Sequence, residues 1–97
     1  MRLLLLLAAL LPLPASALEK VTLQLKWKHQ FQFAGYYAAQ EKGYYREAGL
    51  DVSIVEAGPE TDPVKEVIEG RAQFGVSNSA LILARVQGKP IVALAVI

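Results

Sequence analysis

The sequence predicts an α/β fold, a mainly parallel sheet flanked by helices, on three observations. Strand-like apolar or β-branched segments recur at residues 21–25, 51–55, 73–76 and 91–97. Segments with helical spacing of apolar residues lie between them. Glycine closes each helical segment, at Gly43, Gly49, Gly70 and Gly88. Alternating strand and helix means βαβ units, with parallel strands and short right-handed connections.

The chain opens on a different kind of segment. Arg2 gives a short positive start, residues 3–11 form an unbroken apolar run, and Pro12 and Pro14 interrupt it ahead of Ala15-Ser16-Ala17. That order is the layout of a secretory signal peptide with cleavage after Ala17. The run is well short of the ~20 residues that span a bilayer. Residues 1–17 are therefore excluded from the fold, and residues 18–97 are read as the N-terminal part of one truncated domain.

Each later element has a local reason. Residues 21–25 alternate apolar and polar, a half-buried strand. Residues 33–42 read as a helix stopped by Gly43, and residues 44–48 as a helical turn closed by Gly49. Residues 51–55 form strand two, and Gly58-Pro59-Glu60-Thr61 a loop. Asp62 followed by Pro63 is the pattern of an N-cap with proline at the first helical position. Val64, Val67 and Ile68 give this helix one apolar face, ended by Gly70. Residues 73–76 are a short strand three. Ser77-Asn78-Ser79 offers capping chemistry for a third helix carrying Leu81, Ile82, Leu83 and Val86. Residues 91–97 read as a buried fourth strand. A chain rarely stops inside such a strand, because its edge would lie open. The expectation is an N-terminal piece of a longer protein, poorly soluble or only partly folded alone.

Composition excludes several function classes. Ten basic residues less Arg2 leave nine, against nine acidic residues, so the mature part is formally neutral. Nothing in that balance suggests a nucleic acid or a polybasic membrane surface. There is no cysteine and one histidine, which removes thiolate chemistry, Cys-based metal sites and histidine clusters. No metal and no cofactor is expected, and an exported chain of this kind is held by its core alone.

The candidate site follows strand one. In open α/β sheets ligands bind beyond the carboxyl ends of the strands, and there the sequence places Trp27, Lys28, His29, Gln30 and Phe31. Aromatic faces, an amide and positive charge are gathered where a small molecule can be held. Trp27 is either a ligand anchor or a core residue at a strand end. His29 is either a ligand contact or a solvent-facing loop residue, and no acid or base is spaced to make it catalytic. Among Phe31, Phe33, Tyr36 and Tyr37, one aromatic is expected to meet ligand while the others pack. Gly35, early in a helix, suggests close approach of a ligand or of another backbone. Gly58 follows strand two on the same side. Ser77 and Asn78 follow strand three, where capping alone or capping plus ligand contact through free helix N–H groups are both open. The acidic and basic residues between Glu60 and Arg71 read as a solvated helix face. There is no phosphate-binding glycine loop and no nucleophile elbow.

Residues 25–27 (LKW), 35–39 (GYYAA), 41–52 (EKGYYREAGLDV), 71–77 (RAQFGVS) and 88–93 (GKPIVA) occur in this order. With them the mature chain resembles the periplasmic substrate-binding proteins of ABC transporters, in the branch of thiamine-pyrimidine-precursor, sulfonate, taurine and nitrate binders. The resemblance implies a two-lobed, hinged binding protein of the type II class, of which this segment is most of the first half-lobe. It implies a small polar or heteroaromatic solute, a membrane permease as partner, a periplasmic location and no catalysis. Contact with a membrane would come only through that partner or a missing C-terminal part. Two alternatives follow from the same resemblance. One is a thiamine-pyrimidine synthase, an enzyme. Its relatives usually carry a histidine two residues before the position of Gly35, where this chain has Phe33. The other is the extracytoplasmic sensing domain of a membrane-bound kinase or diguanylate cyclase.

Overall fold

A computed structural model describes residues 17–97. The apolar run read as a signal peptide lies outside the described residues, apart from Ala17. Strand β1 (Glu19–Gln24) is central in a three-stranded sheet of order β2-β1-β3, with β2 (Leu50–Val55) and β3 (Phe74–Gly75) on either side. Both pairings are parallel: Glu19 lies opposite Leu50 and Gln24 opposite Val55, while Leu23 lies opposite Phe74. Helices α1 (Ala34–Glu41), α2 (Tyr44–Glu47), α3 (Pro63–Ile68) and α4 (Leu81–Val86) complete the chain. The α/β class and parallel sheet expected from the sequence are present.

Alternation in β1 decides the core. Leu23 and Leu25 lie on one face with Phe33, all buried, and Tyr36, Tyr37, Val52, Ile54 and Val76 pack around them. Phe33 ends a 3₁₀ turn (Phe31–Phe33) that precedes α1, so the helix starts one residue later than expected. The turn folds Phe33 inward, to 2% exposure, and leaves Phe31 outside.

Two glycines show why the connections are tight. Gly43 has φ +76°, the left-handed region that turns α1 into α2. Gly75 has an ordinary φ, but a Cβ there would lie 3.2 Å from Val67 Cγ2 and 3.4 Å from the Pro63 carbonyl. Helix α3 therefore packs on β3 through a position that has no side chain. As expected, the Asp62 carboxylate accepts the Val64 N–H at 3.0 Å and Pro63 opens α3. At the other end Arg71 pairs with Glu66 at 2.7 Å and with Glu69. Arg71 hydrogen bonds hold the Glu66 carboxyl below the usual carboxylate range and push the guanidinium pKa further up.

Two expectations differ from the structure. Residues 91–97 form no strand: Ile91 is buried, whereas Val92, Leu94, Val96 and Ile97 are exposed. They line a broad apolar groove with Val21, Leu23 and Phe74 instead of joining β3. An apolar β-branched run needs an adjacent ladder to become a strand, and β3 offers only two residues. Helix α4 also buries little: Ala84 is inside and Leu81 half-buried, while its other apolar residues, Ile82, Leu83 and Val86, are exposed.

Candidate functional site

The carboxyl ends of β1 and β2 are locked by a side chain from within the sheet. Gln24 is 4% exposed, and its Nε2 donates to the carbonyls of Leu25 (3.0 Å), Val55 (3.3 Å) and Glu56 (3.3 Å). All three acceptors are backbone oxygens, which fixes the amide with its nitrogen toward them. Leu25 N–H donates to Val55 at 2.8 Å, and Val76 N–H to the Gln24 carbonyl at 2.8 Å. Among the described residues no buried side-chain nitrogen or oxygen lacks a partner, a condition for a rigid frame.

Beyond the frame, the loop of residues 26–30 is exposed. It is nonetheless tied down. Ala57 N–H donates to the Trp27 carbonyl at 3.0 Å, and His29 N–H donates to Glu56 Oε2 at 3.0 Å. The His29 Nδ1 lies 2.8 Å from the Tyr37 hydroxyl, with ring centroids 5.6 Å apart. Gln30 accepts from Gln32 Nε2 at 3.0 Å. Trp27 is 39% exposed and Phe31 92%, so neither is a core residue. The structure thus brings Trp27, His29, Gln30 and Phe31 onto one loop beside residues 56–58. Gly58 lies in that second loop, its N–H donated to Thr61 Oγ1 at 3.1 Å.

The other expected site residues lie elsewhere. Tyr36 belongs to the packed core, its ring centroid 6.5 Å from that of Phe33. Its carbonyl accepts the Tyr45 hydroxyl at 3.2 Å, and burial, aided by Tyr36, raises the Tyr45 pKa. Gly35 is exposed, and a Cβ there would meet no protein atom within 4 Å, so no neighbouring backbone explains it. Ser77 and Asn78 line a groove of about 350 Å³ with Asp62, Val64, Leu83 and Lys89, and both also line the broad apolar groove together with Lys26, Gln32 and Tyr36.

The free helix N–H groups anticipated after strand three are not free. Asn78 Oδ1 accepts from Ala80 N–H at 2.9 Å, the Asn78 carbonyl from Leu81, the Ser79 carbonyl from Ile82 and the Ala80 carbonyl from Leu83. Asn78 makes an Asx turn one turn ahead of α4, and the helix consumes its own donors. Sequence reasoning missed Gln24 and Glu56, and it named Tyr37 only as one of four aromatics, without its bond to His29. A glutamine inside an apolar strand was the available signal for the first. The other two contacts depend on tertiary placement.

Among the described residues no cluster of His, Asp and Glu could hold a metal ion, and no helix is long and apolar enough to cross a membrane.

Comparison with known proteins adds relatives. The family model described as NMT1/THI5 like matches residues 30–97. The formylaminopyrimidine-binding protein of Halalkalibacterium halodurans is 38% identical over 80 residues, 81% of this chain and 24% of that protein. The riboflavin-binding protein RibY of Chloroflexus aurantiacus is 34% identical over 88 residues, 87% of this chain and 25% of its own length. A 4-amino-5-hydroxymethyl-2-methylpyrimidine phosphate synthase of Saccharomyces cerevisiae, THI11, is 30% identical over 78 residues, 79% of this chain and 23% of the synthase. The chain spans about a quarter of the length of these relatives.

Proposed function

Since the chain belongs to the NMT1/THI5-like family, we propose that it is the N-terminal part of an exported solute-binding protein that delivers its solute to an ABC transporter permease. The solute is small and polar or heteroaromatic, of the thiamine-pyrimidine-precursor or the sulfonate and nitrate kind. One observation carries the reading. The strand-one loop presents two solvent-facing aromatics and a histidine on a hydrogen-bonded frame, the makeup of a recognition wall. The binding proteins among the relatives support it. Export rests on the N-terminal apolar run and Ala15-Ser16-Ala17.

The synthases among the relatives favour a second reading, an enzyme. Against it stands Phe33, which occupies the position where the resemblance places the synthases' histidine and is buried at 2% exposure. The ring partner of His29 is a tyrosine hydroxyl, not an acid that would make it a proton shuttle.

The test uses the full-length protein. N-terminal sequencing of the exported product should begin at Leu18. A thermal-shift screen with formylaminopyrimidine, riboflavin, taurine and nitrate should raise the melting temperature with one of them, as ligand linkage requires. A cytoplasmic product retaining Met1 rejects export, and conversion of a bound compound rejects the binding-protein reading.

A further inference from the structure

His29 is held from two sides by residues outside the strand-one loop. Its backbone N–H is fixed by Glu56 at 3.0 Å, and its ring by Tyr37 at 2.8 Å. Tyr37 is itself rigidly placed: it sits on α1 and packs against the Leu23, Leu25 and Phe33 core. The Tyr37 hydroxyl has no other hydrogen-bond partner among the described residues. A neutral imidazole has one donor and one acceptor nitrogen, and the bond made by one decides the role of the other. With Nδ1 engaged, Nε2 is the ring nitrogen left for a solute.

We propose that Tyr37 and Glu56 are positioning residues for His29, with the Tyr37 hydroxyl donating to Nδ1 so that Nε2–H faces the solute as a fixed hydrogen-bond donor. The proposal rests on the reading of the strand-one loop as part of the solute site, and it deepens that reading. It specifies what His29 recognises: an acceptor atom, such as a carbonyl or ring nitrogen or an oxyanion oxygen, and not an N–H edge. A histidine free to rotate and exchange tautomers would accept either. Glu56 fixes where the ring starts from, and Tyr37 fixes which nitrogen is offered.

The experiment needs no solute, which separates its failure from failure of the binding reading. In the full-length protein, ¹⁵N spectra of the His29 ring are recorded at a pH where the ring is neutral. The expected wild-type signature is a pyridine-type Nδ1 and a pyrrole-type Nε2. In Tyr37→Phe the two signals should move toward each other, as tautomers average, while the His29 amide stays protected. In Glu56→Gln the ring signature should persist while exchange of the His29 amide quickens by about tenfold, the loss expected for one charge-assisted hydrogen bond. Both variants are surface-side changes, and far-ultraviolet circular dichroism verifies the fold. A wild-type ring protonated at Nδ1, a spectrum unmoved by Tyr37→Phe, or an amide indifferent to Glu56→Gln overturns the proposal. Loss of wild-type binding on Trp27→Ala concerns the reading alone and leaves these signatures untouched.

Discussion

The N–H of Ala57 donates to the carbonyl of Trp27 at 3.0 Å, so the loops after β1 and β2 move as one hydrogen-bonded unit. The tie uses only the Trp27 backbone, and on the proposed reading its side chain contacts the solute. Trp27→Ala in the full-length protein should weaken solute binding by ~1–3 kcal/mol, as loss of an aromatic anchor does. Stability should fall as well, though by less than for a fully buried ring, since the residue is 39% exposed. Titration calorimetry with a solute found by screening, beside a thermal melt, separates the two effects; unchanged affinity would show that Trp27 lies outside the site.

Phe33 should behave in the opposite way. It is buried at 2% exposure against Leu23 and Leu25. Phe33→Ala should cost about 3–5 kcal/mol of folding stability. Urea denaturation measures it. A loss below about 1 kcal/mol would place the ring outside the core.

Capping at Asp62 and the turn at Asn78 give a matched pair. Asp62→Ala removes the acceptor for Val64 N–H and should cost about 1 kcal/mol. Asn78→Ala removes the acceptor for Ala80 N–H in an exposed turn and should cost less. If Asn78→Ala instead lowers affinity at unchanged stability, the groove beside α4 is part of the site.

Acid should loosen the α3 turn. Arg71 hydrogen bonds lower the Glu66 carboxyl pKa on folding. A carboxyl lowered in this way adds stability that is fully present above its unfolded-state value and is lost as pH falls through its folded-state value. The pair is solvent-exposed, so the effect is small and screened by salt. Glu66→Gln should flatten the decline in melting temperature over the acid range where carboxylates titrate. A slope identical to wild type would remove Glu66 from the acid response.

Local chemistry made much of this fold readable in the sequence. Gly43, Asp62 with Pro63, and the alternation through Leu23 and Leu25 each act within a few residues, and each element they mark is present. Residues 91–97 misled because their apolar pattern describes what a strand would bury, not whether a neighbour is there to pair with it. At the site, Trp27 and His29 could be placed because the carboxyl end of a parallel strand is a general address for ligands. The contacts of Glu56 and Tyr37 with His29 could not, since 27 and 8 positions separate them and no local rule spans that distance. Ser77-Asn78-Ser79 offered capping chemistry as a group, and tertiary structure was needed to show that the turn uses Asn78.

The Gln24 amide has a consequence for how such a protein can change its preferences. It satisfies the carbonyls of Leu25, Val55 and Glu56 from inside the sheet, so the loop tips are not needed to quench the strand ends. The strand ends are thereby quenched without the side chains of Lys26 to Phe31. On the proposed reading of the loop, point substitution there should alter solute preference while the backbone beneath it stays as it was.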